Sequence, residues 1–532
     1  MRPRNRGRLR AWATGAATLL MVAGTAAAAP APREADDLSP EIRAIMDKPA
    51  YQHAQWGLLE IDPESGKVIH SRFPDQFFIP ASNAKEVTES AAWHVLGPDS
   101  TFTTPVQAIG NRSGSTLDGN LALVAQGDLT MGGRTKPDGT VDYTTFDHTY
   151  ADSAPGAILT PEDPLAGIDQ LAQQVHDAGI TQVNGDVVVD ARKFTPPALD
   201  PLPTPLIIND NLIDLLSTPT SPGQPAALTW RPQVAPYQVT STVRTVAAGG
   251  PTDIRVSASP DGTQISLSGT IAADAQPAVK VSPVRDPNAF GRTALIEALA
   301  RAGVTVSAAP TGANPVADLP ASYDGTDRVA AYVSPPYREY AKLILKVSHN
   351  LGANLALCNL ATSRGSTDCD DGYGLIHSFL TDVAHVDPTQ FQLNDGRGGD
   401  PADRATPRGL DQLFAYWLHT PDADAFRLAQ PILGVDGTLA GSCNTDACPA
   451  RGKVFAKTGS AVGGDPLNQQ LAVGAQTLGG YLVSDQGCMR IFFLAVNGAA
   501  VPDIPGFVQV GNDLARIAAL LQQEASADRP RT

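Results

Sequence analysis

After its first thirty positions the chain contains no apolar run approaching about 18 residues, so nothing later in it reads as a membrane-crossing helix. Positive charge is scarce: 39 Lys and Arg stand against 55 Asp and Glu, for a formal net charge of −16. No basic cluster occurs beyond the first ten residues, which argues against nucleic acid as a partner. Only five cysteines are present, none in a C-x-x-C pair. "CNTDAC" has no histidine pair nearby, so neither a zinc site nor any other metal is expected. Repeats and low-complexity arrays are absent as well.

What is present is globular. The 532 residues are too many for one ordinary domain, and 42% apolar with 18% charged is the composition of a folded chain. The first ten residues carry five arginines and no acid, and an alanine-rich apolar stretch follows. An A-x-A site at Ala26–Ala28 completes the pattern of a secretory signal peptide, residues 1–28. The expected protein is exported and extracytoplasmic, with membrane association at most peripheral or through an uncleaved leader. Loss of the five arginines would take the net charge from −16 to −21. Five cysteines suit an oxidising compartment. Cys358 with Cys369 and Cys443 with Cys448 is the simplest pairing, leaving Cys488 free. Five choices of the odd residue times three pairings leave fifteen arrangements open.

Along the chain, residues 38–102 and 325–525 mix amphipathic helices with strands, whereas 103–324 are dominated by short alternating strands. The expectation is one discontinuous α/β domain interrupted by a β-rich insertion.

Three short motifs could carry chemistry. "FIPASNAKEV" places Ser82 and Lys85 three apart at a helix start, where they share a face. A lysine of lowered pKa could take the serine proton, and helix N–H groups could hold an oxyanion. A serine N-cap followed by a surface lysine has the same spelling. Ser348 and Asn350 follow one helix and precede another, and can act together only from a bend. A second S-x-N, Ser442 and Asn444, has equal spacing. Lys457-Thr458-Gly459-Ser460 ends a strand, with Lys457 and Gly459 on one face. Glycine there admits another backbone and the lysine supplies charge, which suits an extended peptide ending in a carboxylate. Each motif alone is weak, but S-x-x-K, S-x-N and K-T-G in this order form the set of serine penicillin-interacting enzymes.

The chain resembles the low-molecular-mass class C penicillin-binding proteins, D-alanyl-D-alanine carboxypeptidases/endopeptidases, from about residue 50 to 520. "GDLTMGG", "GITQVNGDVVVDARKF", "LNDGRGGD" and "QPILGVDGTLA" resemble further family segments, and the 266 residues from Ser82 to Ser348 fit the family's insertion. The resemblance implies an α/β (α+β) transpeptidase-like domain, an antiparallel sheet flanked by helices, with two β-rich domains, one nested in the other, inserted between the first and second motifs. It implies Ser82 as nucleophile, Lys85 as base, and Ser348 with Lys457 as the route of the proton to the leaving amine. Asn350, Thr458, Gly459 and Ser460 would bind substrate, without cofactor. The implied partners are the peptidoglycan stem peptide and β-lactam inhibitors. A β-lactamase or esterase using the same residues, and a weakly catalytic wall-binding scaffold, are the rival readings. His349 stands where the family has Asp or Asn, and Arg397 and Asp400 replace small serines. These departures are expected near the cleft, where they bear on substrate preference.

Overall fold

The computed structural model describes residues 38–527; the expected leader at 1–28 lies outside them. "QWGLLEID" forms the strand Gln55–Asp62, whose middle five residues are buried. Such a near-continuous apolar run belongs in the interior of a sheet covered on both faces. On one side it pairs with Lys67–Arg72 across the turn "PESG", and on the other with Met489–Val501. Gln470–Val483 and Val454–Asp465 complete a five-stranded sheet, and every neighbouring pair in it is antiparallel. One sheet therefore takes its strands from both ends of the chain, and Val454–Asp465, which carries the K-T-G motif, is an edge.

The helices Pro40–Met46 and Ile504–Ala527 cover one face of this sheet. Ala84–Leu96, Tyr337–Lys346, Asn350–Ser363 and Pro407–Leu418 gather over the other around a second apolar cluster. Local chemistry sets their starts. Thr406 accepts the Gly409 N–H and Pro407 occupies the first turn, where its missing donor costs nothing.

Residues 103–333 build other sheets. The strands 103–113, 116–124, 182–183, 187–190, 305–306 and 327–333 share one six-stranded sheet, flanked by the helices Ala166–Asp177 and Pro287–Arg301. Nested in the sequence between them, the strands from 212 to 283 form a three-stranded and a four-stranded sheet. The chain leaves and re-enters at one point: Phe102 and Ser334 exchange hydrogen bonds of 2.9 Å, N–H to Oγ and N–H to carbonyl.

Disulfides join Cys358 to Cys369 and Cys443 to Cys448, and Cys488 is an exposed free thiol. Among the described residues no helix is long and apolar enough to cross a membrane.

Candidate active site

Ser82 does not cap the helix that follows it. It lies in a 3-10 turn, Ala81–Asn83, leading into Ala84–Leu96, and the cap position falls to Asn83 without a side-chain bond. Its hydroxyl instead meets Lys85, whose Nζ stands 2.9 Å from Ser82 Oγ. Two other acceptors meet that amine: Asn350 Oδ1 at 2.8 Å and the Arg397 carbonyl at 2.9 Å. Both can only accept. A neutral amine has two N–H bonds for them and one lone pair left, which faces the serine hydroxyl.

Burial favours that neutral form. Lys85 is fully buried, and its pKa falls well below the ordinary lysine value through burial, then through repulsion from Lys457 and Arg397. Lys457 is likewise buried and is brought down to about 7. It donates to Ser348 Oγ at 2.9 Å and to the Thr458 carbonyl at 2.7 Å. Beneath the two lysines the same helix carries Glu86 and Glu89, which burial pushes up to about 8.

Of the two S-x-N triplets, the geometry uses the first. Ser348 sits in the bend between Tyr337–Lys346 and Asn350–Ser363 with φ of 62°, a left-handed conformation costing a serine on the order of 1 kcal/mol. Ser442 instead donates to Asn512 on the C-terminal helix.

Gly459 meets its requirement directly: a Cβ there would lie 2.7 Å from the Pro80 carbonyl and 3.0 Å from the Ser82 nitrogen. The K-T-G strand thus presses its backbone against the turn that carries Ser82, and Asn83 ties the two together by donating to the Lys457 carbonyl at 3.1 Å. Thr458 Oγ1 lies 2.7 Å from Thr438 Oγ1, and the exposed Ser460 donates to Gln476 at 3.1 Å.

The "DGRGGD" loop contributes backbone. Asp395 Oδ1 accepts the N–H groups of Arg397, Gly398 and Gly399, which turns the Arg397 carbonyl toward Lys85. Gly398, at φ of 82°, passes where a Cβ would lie 1.9 Å from the Ala81 carbonyl.

His349 does not line the cleft as expected. It is fully buried, its Nδ1 accepts the Gly352 N–H at 3.0 Å, and its Nε2 faces Asp210 Oδ1 at 3.0 Å. Asp210 belongs to a buried network that the sequence did not reveal. Arg134 donates to Asp147 at 2.6 Å and to Asp210 at 2.8 Å. His148 reaches Asp210 at 2.7 Å and Asp214 at 2.5 Å, and Arg231 reaches Asp214 at 3.1 Å. Asp147, His148 and Asp210 have metal-ligand spacing. Yet both His148 nitrogens face carboxylates and so donate, and Arg134 supplies the cation, which leaves no ligand set for an ion. Three positive groups balance three carboxylates.

That balance depends on pH. Burial alone would lower the His148 pKa, but Asp214, Asp147 and Asp210 raise it to about 10. The unfolded chain's histidine releases its proton near 6.5. Between these values the folded state holds more protons, so this stabilisation is complete below about 6.5 and is lost as pH rises through about 10. His148→Gln is expected to flatten the fall in Tm between pH 7 and 10; parallel Tm curves for the two proteins would contradict it.

This geometry has relatives. A Haemophilus influenzae penicillin binding protein 4 structure shares the fold, with a TM-score of 0.66 at 20% identity, covering 91% of this chain and 99% of that one. The D-alanyl-D-alanine carboxypeptidase of Actinomadura sp. is 26% identical over 493 residues, 88% of this chain and 82% of the relative. The penicillin-sensitive carboxypeptidase A of Dictyostelium discoideum is 23% identical over 437 residues, 78% of each chain. The family model for D-Ala-D-Ala carboxypeptidase 3 (S13) matches residues 38–506. A match over that span carries the expected resemblance through: the chain belongs to the S13 family and is a serine-type D,D-peptidase.

Proposed function

We propose that this peptidase is exported and cleaves D-Ala-D-Ala ends or D-Ala-linked cross-bridges of peptidoglycan through an acyl-enzyme on Ser82, and that β-lactams acylate the same serine. In this reading residues 38–102 and 334–525 form the peptidase domain and 103–333 the insertion; the boundary expected at 324/325 moves because the strand Asp327–Val333 pairs with Thr103–Ser113 in the inserted sheet. The observation that carries it is the Lys85 amine, buried, held by two obligate acceptors and aimed at Ser82 Oγ.

The Ser82 proton passes to Lys85 as Oγ bonds to the carbonyl carbon of the penultimate D-alanine. The N–H groups of Ser82 and Ser460 hold the oxyanion. The C–N bond then breaks, and the leaving amine takes a proton through Ser348, which Lys457 orients. Asn350 bonds the substrate amide, Thr458 and Ser460 take the terminal carboxylate, and Gly459 lets the peptide backbone lie along the edge strand. Water finally attacks the ester, frees the peptide acid and restores the Ser82 hydroxyl.

The test pairs two measurements on the mature chain. Diacetyl-Lys-D-Ala-D-Ala is expected to release D-alanine, and a penicillin adduct is expected to map to the Ser82 peptide by mass spectrometry. Steady turnover of penicillin without a trapped adduct would make the enzyme a β-lactamase. No D-alanine and no adduct would leave a wall-binding scaffold.

A further inference from the structure

The geometry points to the inserted segment as part of the catalytic machinery: Asp210, acting through His349, and Tyr150, acting on the Ser348 carbonyl, are positioning residues that set where the Ser348 hydroxyl sits. The inference rests on the reading of Ser348 as proton carrier.

Two anchors reach the Ser348 bend from the insertion. The Tyr150 hydroxyl donates to the Ser348 carbonyl oxygen. One residue further on, His349 Nε2 lies 3.0 Å from Asp210 Oδ1, a close polar contact without hydrogen-bond alignment, and neither atom makes a hydrogen bond elsewhere. The ring's other nitrogen accepts the Gly352 N–H, so its proton sits on Nε2, the nitrogen nearer the carboxylate. His349 thereby joins the first turn of Asn350–Ser363 to the insertion.

The two anchors are one unit. Tyr150 ends a short turn that also carries Asp147 and His148. Asp210 lies in a run of three left-handed residues, Asn209, Asp210 and Asn211, with φ of 52°, 56° and 55°. Arg134 donates to both Asp147 and Asp210, and His148 bonds Asp210, so the turn and the left-handed run are locked together. The Arg134 guanidinium overcomes the effect of burial and holds Asp210 well below the usual carboxylate range, which keeps its charge available to His349.

Backbone strain shows what the unit holds. Ser348 is itself left-handed, a conformation that persists only where the surroundings impose it. Its hydroxyl meets Lys457 at 2.9 Å from that conformation. Relaxation of the bend to a right-handed backbone would move the hydroxyl, and a displacement of about 1 Å in a reacting group costs on the order of 10²-fold in rate. A packing role alone would not need strained backbone on both sides of the Asp210–His349 contact.

The experiment uses the mature chain with Tyr150→Phe, His349→Asn and Asp210→Asn. Arg301→Gln serves as a control, because it breaks an exposed ion pair with Asp169 in the same insertion. Single-turnover acylation by a fluorescent penicillin, kcat and KM on diacetyl-Lys-D-Ala-D-Ala, and Tm are measured for each. Acylation and kcat are expected to fall roughly 10- to 100-fold in folded Tyr150→Phe and His349→Asn, with KM within about twofold and the control unchanged. Folded variants that acylate at the wild-type rate, or that raise KM alone, would overturn the inference. Should Asp210→Asn fail to fold, Tyr150→Phe decides, since it removes a single hydroxyl. A wild-type chain that takes no label on Ser82 would sink the proposed function itself; a labelled wild type with equally fast variants would sink only this inference.

Discussion

Ser82→Ala is expected to abolish penicillin labelling completely and to lower D-alanine release on the order of 10⁶-fold, the scale of losing a serine nucleophile. The fold should survive. Ser82 is only half-buried, and its hydroxyl is met by Lys85 alone, so the substitution removes about 1 kcal/mol of hydrogen bonding. Intact-mass spectra after exposure to penicillin would read the first effect and a Tm measurement the second. An adduct that persists in the alanine variant would place the nucleophile elsewhere. The effect is large because the nearby Ser348 cannot substitute: its hydroxyl faces Lys457, not the lone pair of Lys85.

Lys85→Arg should also be strongly damaging, although it keeps a positive charge. A guanidinium does not give up its proton near neutrality, so it can neutralise an oxyanion but cannot accept the Ser82 proton. General-base loss is worth about 10²–10⁴-fold, and the acylation rate is expected to fall by that factor. The pH profile carries the sign. Burial and the neighbouring cations lower the Lys85 pKa, so the neutral base appears at lower pH than for an ordinary lysine. Acylation in the wild type rises with pH through that lowered value and then levels; in Lys85→Arg this limb should vanish. Retention of more than about a tenth of the wild-type rate by the arginine variant would mean that the amine acts by charge alone.

The family and the fold class were legible because chemistry leaves few spellings. A base one helical turn from its serine, and a glycine where two backbones press together, each restrict residue type, and Gly459 against the Ser82 nitrogen shows why. Spacing alone does not separate Ser348 from Ser442; the helix-joining context and the family resemblance favoured Ser348, and the bend between two helices is where the structure places it. The choice for Ser82 between nucleophile and cap came from the order of the three motifs, because local sequence cannot say that a buried amine will meet the hydroxyl. His349 was placed at the cleft for a related reason. Its partner Asp210 lies 139 residues earlier, in a segment with no chemical motif of its own. Tyr150 and Arg134 were missed likewise: a buried ion network is specified by tertiary contacts and leaves no periodic trace.

The closed neck at Phe102 and Ser334 has a consequence for how the chain reaches its fold. Pairs such as Gln55 with Asn497 join positions 442 residues apart, and contacts of such separation are slow to form because loop closure precedes any reward. Once the inserted sheets have formed, Phe102 and Ser334 are neighbours. The path from Ser82 to Ser348 then shortens from 266 residues to the twenty before Phe102 and the fourteen after Ser334. An insertion that ordered itself first would act as an entropic splint, turning the distant halves of the site into near neighbours along the chain.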